Sequence, residues 1–139
     1  MPAASDAWLL DTSALLCLRQ NEAGASEVER IVRSHGKDER VFVSFVSLME
    51  FYYVVQRKEG ESEARRAYLQ LKQLPLRVVE SDEELGLASA KIKAASKLSF
   101  ADAWIAATAQ RLDAALVHKD PEFDQVQGAL LHHRLPYKR

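Results

Sequence analysis

The sequence predicts an α/β protein of three layers, α/β/α, with a central mostly parallel sheet of four to five strands. Short apolar runs of strand length alternate four times with segments whose apolar residues recur at helical spacing, and this order calls for parallel neighbours covered by helices on both faces. Length and composition agree: 139 residues, 47% hydrophobic and 28% charged, suit one domain over residues 1–139 that buries about two thirds of its unfolded surface.

Residues 8–11, WLLD, are the first strand, ending at an acid and leading through Thr12 and Ser13 into the helix ALLCLRQ. NEAGASEVERIVRSHG continues helically through Val28, Ile31 and Val32 and stops at Gly36. RVFVS, β-branched and aromatic, is the second strand. A helix through LMEFYYVVQRKEG follows from Ser44 or Ser47, and SEARRAYLQLKQL forms another before Pro75. LRVVES is the third strand. Ser81 then opens the helix DEELGLASAKIKAASK, with Glu84 placed to complete a capping box. After SFADAWIAATAQRL, the fourth strand AALVHKD ends in an Asp120-Pro121 turn, and ALLHH is a weaker fifth.

Composition excludes several classes. The single cysteine, Cys17, sits in an apolar run, so no disulfide framework is expected; a core position and a cytoplasmic setting fit it best. No apolar run approaches the roughly 20 residues that cross a bilayer, and MPAASDAW lacks the pattern of an export signal, so no membrane partner is expected. There is no glycine-rich phosphate loop, and His35, His118, His132 and His133 show no zinc spacing; they read as surface or edge residues, with His132 and His133 on opposite faces of a strand.

Right-handed crossovers bring strand carboxyl ends and helix amino ends to one edge, where open α/β sheets bind ligands. Four acids fall there: Asp11 after the first strand, Glu50 early in the helix after the second, Asp102 three residues after Ser99, and Asp120 after the fourth. Each sits beside apolar sequence. Carboxylates gathered in such surroundings repel unless they take up protons or share a cation, and a hard divalent ion suits oxygen ligands. Structural roles compete. Ser99-x-x-Asp102 and Ser47-x-x-Glu50 have capping-box spacing, Asp11 and Asp120 suit turns, and Thr12 and Ser13 read as N-caps rather than nucleophiles. Ser81-x-x-Glu84 has the same spacing inside an exposed charge run, so spacing alone does not distinguish the two roles. Isolation does: no other charge occurs from Ser99 to Ala109.

In this order and spacing, LLDTSALL, SFADAWIAATA and LVHKDPEF resemble the PIN-domain ribonucleases, particularly VapC-type toxins of prokaryotic toxin–antitoxin pairs. SLMEFYYVV and NEAGASEVERI extend the likeness over nearly the whole chain. The resemblance implies a PIN-like fold and Mg²⁺- or Mn²⁺-dependent hydrolysis of RNA. Asp11, Asp102 and Asp120 would hold metal, and Glu50 would hold it or work through it on the attacking water. Thr12 or Ser13 would take the adjoining hydroxyl position, Ser99 would support Asp102, and Glu122 is a further acid within reach. The family often carries a hydroxyl two places before the last acid, where this chain has His118. A cognate antitoxin, an RNA substrate and a symmetric homodimer are the implied partners. Without the four acids the formal charge of −1 becomes +3, which is compatible with RNA. An inactive PIN-like module that binds RNA or protein is the alternative. A phosphotransfer receiver domain fits poorly, because WLLDTS holds one acid and LRVVES ends without an Asp.

Overall fold

A computed structural model describes residues 6–137. Its elements are β1 (Trp8–Leu10), α1 (Thr12–Gln20), α2 (Ala25–His35), β2 (Val41–Ser44), α3 (Phe45–Glu59), α4 (Glu61–Lys72), β3 (Arg77–Val79), α5 (Glu83–Ala94), α6 (Phe100–Leu112), β4 (Ala115–His118) and β5 (Leu131–Arg134). Two 3-10 turns, Gly36–Asp38 and Pro121–Gln125, complete it. All five strands are parallel, in the order β3-β2-β1-β4-β5. The expected α/β/α sandwich is therefore present, with its weaker fifth strand paired to β4.

Strand alternation divides the core in two. Leu10, Val41, Val43 and Val117 face α1–α4, packing on Leu15, Val28, Ile31 and Phe51. Leu9 and Leu116 face the other way, onto Ile105, Ala106 and Ala109 of α6 and onto Phe123. Small residues, Ala106 and Ala109, thus form part of the α6 side of that contact. Cys17 is buried in the first of these clusters, as its apolar context predicts.

Several helix starts narrow or differ from the sequence expectation, each for a local reason. Asp11, not Thr12 or Ser13, caps α1. β2 runs straight into α3, so Ser44 is the cap, accepting from the Val46 N–H at 3.2 Å. Ser47 then lies buried in the first turn, and Ser47–Glu50 is no capping box. At α5 the cap is Asp82, which accepts from the Leu85 N–H at 2.8 Å; Ser81 and Glu84 are one residue out of register for a box. The segment from Asn21 is not continuous helix either, because Asn21 adopts a left-handed conformation (φ 51°) that ends α1, and α2 starts at Ala25.

Candidate active site

The strand order reverses between β1 and β4, and a crevice at the carboxyl ends of these strands is the expected ligand position. Asp11 leaves β1 there. Its Oδ2 accepts from the Ser13 N–H at 3.1 Å and the Ser13 hydroxyl at 2.6 Å. The same hydroxyl oxygen accepts from the Lys119 N–H at 3.0 Å, so Ser13 ties α1 to the segment after β4. Asp11 is only 3% exposed, and its Oδ1 is buried with no hydrogen-bond partner. Burial is the dominant influence and pushes this carboxyl up to about 6; Ser13 and Thr12 pull it down, and the charge of Glu50 adds to the rise.

Glu50 stands in the second turn of α3, where its Oε1 accepts from the Thr12 hydroxyl at 2.6 Å. Asp102 enters from α6. The cap of that helix is Ser99, whose hydroxyl accepts from the Asp102 N–H at 3.1 Å, so the Asp102 carboxylate is not needed as the cap. Burial, then the charges of Asp11, Glu50 and Asp120, push Asp102 up to about 7, against a smaller downward pull from the Ser99 hydroxyl. Four acids from four segments therefore act on one another.

Asp120 caps the second 3-10 turn, its Oδ1 accepting from the Glu122 N–H at 2.9 Å. That turn carries Glu122 back to the cluster: one carboxylate oxygen each from Asp102, Asp120 and Glu122 lie within 4.8 Å of one another. Asp11 and Glu50 stand outside this tightest group but close enough to act electrostatically on Asp102. Among the described residues, none of these five carboxylates is ion-paired with a lysine or arginine. An all-oxygen donor set with an orphaned buried oxygen and upward-shifted carboxyls fits a hard divalent cation.

Two features escape sequence reasoning. Lys119 adjoins the acids in sequence, but its side chain is buried and turns away to Ala23 O at 2.9 Å and Glu22 Oε1 at 3.4 Å, tying down the α1–α2 connection. His118, expected at the surface or an edge, is fully buried. The reason is β5, which pairs alongside β4 and sets His132 against it, with His118 Nε2 and His132 Nδ1 2.9 Å apart. Burial, with the neighbouring His132 and Arg134, holds His118 down at about 4. His132 and His133 do take opposite sides of β5: His132 meets His118, and His133 reaches Glu27 at 3.3 Å.

No curated protein matches the chain by sequence. Among solved structures, VapBC2 from Rickettsia felis, bound to a DNA fragment from its promoter, aligns at a TM-score of 0.74 with 14% identity, over 93% of this chain and 98% of that one. DNA-bound VapBC from Salmonella typhimurium aligns at 0.72 with 18% identity, covering 90% and 96%. Mycobacterium tuberculosis VapC20, described as a toxin cleaving the sarcin-ricin loop, aligns at 0.68 with 20% identity, covering 85% and 93%. At these identities the likeness is one of fold. A family model described as the PIN domain matches residues 8–129, and this chain belongs to the PIN-domain family.

Proposed function

We propose that the protein is a divalent-metal-dependent endoribonuclease, the VapC-type toxin of a type II toxin–antitoxin pair. The observation that carries this reading is the convergence of Asp11, Glu50, Asp102 and Asp120 on the reversal point of the sheet with no lysine or arginine ion-paired to them among the described residues. Asp102, Asp120 and Glu122 would hold Mg²⁺ or Mn²⁺, with Asp11 completing the set through its orphaned Oδ1. A cation bound there supplies charge neutralisation at a phosphodiester and a water activated at neutral pH.

The chain's own groups prepare that chemistry. Thr12 holds one oxygen of Glu50 and so presents the other to a water. Ser13 fixes the Asp11 rotamer and couples it to the end of β4. Asp102, pushed up to about 7 by burial and the neighbouring carboxylates, must be deprotonated before it can act as a ligand. For the antitoxin, an apolar groove of about 220 Å³ between α1, α3 and α4, lined by Leu15, Leu18, Phe51 and Leu71 with Arg19 at its rim, offers a seat. Met49 and Tyr53, exposed one turn apart on α3, and the exposed Phe100 are apolar surface suited to a second copy of the chain.

Cleavage of a labelled RNA in Mn²⁺ by wild type and by Asp102→Asn tests the reading. Wild type is expected to cleave and the variant to lose about 100-fold or more. Equal cleavage by both would remove Asp102 from the chemistry. Calorimetric Mn²⁺ binding without cleavage on any RNA tried would favour the inactive module instead.

A further inference from the structure

His118 is a buried imidazole that the proposed chemistry does not use, yet each ring nitrogen has a defined partner. Its Nδ1 accepts from the Asp120 N–H at 3.0 Å. A backbone N–H is only a donor, so Nδ1 carries no proton and the ring must be protonated on Nε2. Nε2 lies 2.9 Å from His132 Nδ1 and therefore donates to it, which leaves the His132 proton on its own Nε2. The protein's hydrogen bonds thus select one tautomer for each ring. The His118 carbonyl accepts from the Leu135 N–H at 2.8 Å, and the ring packs edge-on against Phe123 with centroids 4.9 Å apart. Phe123 is fully buried and belongs to the same 3-10 turn that carries Glu122.

We infer that His118 and His132 form a hydrogen-bonded prop running from edge strand β5 to the Asp120 turn, and that His118 is a positioning residue for Asp120 and Glu122. The inference rests on the proposed cation site. Asp120 has two constraints: its amide is held from behind by His118, and its carboxylate is held in front by the Glu122 N–H. Removing the rear constraint leaves a polar N–H without an acceptor and lets the turn rotate. Both acids that the turn supplies to the cluster then move away from Asp102.

Three substitutions separate hydrogen bonding from packing. His118→Asn keeps an acceptor near the position of Nδ1, His118→Gln keeps one only near Nε2, and His118→Leu keeps neither. The readouts are Mn²⁺ affinity by titration calorimetry, circular dichroism for folding, and a long-range ¹H–¹⁵N correlation spectrum of wild type for the tautomer. Leu and Gln should weaken Mn²⁺ binding roughly 10- to 100-fold, and Asn, which keeps the acceptor for the Asp120 N–H but loses the link to His132, should recover part of that loss. The spectrum should show His118 bare at Nδ1 and protonated at Nε2. Wild-type affinity in a folded Leu variant overturns the prop, as does a proton on Nδ1. If the Leu variant does not fold, equal affinities of Asn and Gln overturn it. A wild type that binds no Mn²⁺ overturns the cation site and this inference with it, whereas a wild type that binds as tightly as the variants overturns the prop alone.

Discussion

The acids on the outer helices and the acids at the sheet edge are the same residue types in opposite electrostatic situations. On α2, Glu27 pairs with Arg30 and Glu29 with Arg33; on α4, Glu61 pairs with Arg65, and Glu63 with Arg66 and with Arg19 from α1. Each of those pairs within a helix follows the three- or four-residue spacing that puts side chains side by side. At the edge, among the described residues, the carboxylates of Asp11, Glu50 and Asp120 accept from hydroxyls and backbone N–H groups, and Asp102 faces other carboxylates. Lys119, the nearest cation in sequence, is bound to Ala23 O and Glu22 on another side. A helix neutralises its own carboxylates locally. The edge leaves its carboxylates for a proton or an external cation.

The largest expected effect follows from breaking the edge set. Asp11→Asn keeps a good N-cap for α1 and an oxygen for Ser13, while it removes a charge that burial disfavours. Mn²⁺ affinity measured by calorimetry should fall by about 100-fold or more, since a ligand should matter at least as much as the groups that orient it. Melting temperature in chelator should stay level or rise. A drop in stability with unchanged metal affinity would make Asp11 a cap and nothing else.

A smaller effect appears in the pH dependence of stability without metal. Asp102 is raised from an ordinary 3.8 to about 7, so between those values the native state holds a proton that the unfolded chain has released. Its stabilising contribution is present below about pH 4 and is lost as pH rises through 7. Asp11 behaves likewise up to about 6. His118, held down at about 4 from an ordinary 6.5, has the opposite sign: its contribution grows as pH rises towards 6.5. Subtracting wild type from Asp102→Asn cancels the histidine contribution. In EDTA the variant's advantage in melting temperature should widen from pH 5 to 7. In excess Mn²⁺ at pH 7 the sign should reverse, because only wild type gains the binding energy of the cation. A difference independent of pH in both buffers would contradict the upward shift of Asp102 by burial and by the neighbouring carboxylates.

The same contrast explains what was legible in the sequence. Apolar runs mark β1, β2 and β4 most plainly, because burial on both faces of a parallel sheet writes itself into local composition, whereas β5, at the sheet's edge and partly exposed, gives the weaker signal. Isolation from other charge marks Asp102, and to a lesser degree Asp11 and Glu50, for the same reason, whereas Asp120 is marked by its place at the end of an apolar strand. Helix starts were less legible where two cap-forming residues adjoin: Asp11 against Thr12 and Ser13, Asp82 against Ser81. Local pattern does not decide which hydroxyl or carboxylate reaches the open N–H. Glu122 joins Asp102 and Asp120 through the 3-10 turn that follows Pro121, and His118 is buried by the pairing of β4 with β5. The reach of Glu122 is expected from the family resemblance alone, whereas the burial of His118 depends on contact between distant segments that the adjacent letters HKDPE do not reveal.

The smallest effect belongs to the outer helices and serves as the control for the rest. Glu29 lies in the middle of α2, away from the favourable helix amino end, and its interaction is an exposed pair with Arg33 four residues on. Such pairs contribute about 0.3–0.5 kcal/mol, so Glu29→Gln should lower the melting temperature by roughly 1–2 °C. Salt near 1 M should erase the difference, because the screening length there is only about 3 Å. Mn²⁺ affinity should be unchanged. Neutralising a carboxylate thus has opposite signs in the two places: slightly destabilising on α2, where an arginine answers the charge, and stabilising in chelator at Asp102, where only other carboxylates do. If Glu29→Gln also raised the melting temperature, excess negative charge over the whole surface would account for both results, and the edge would lose its distinction.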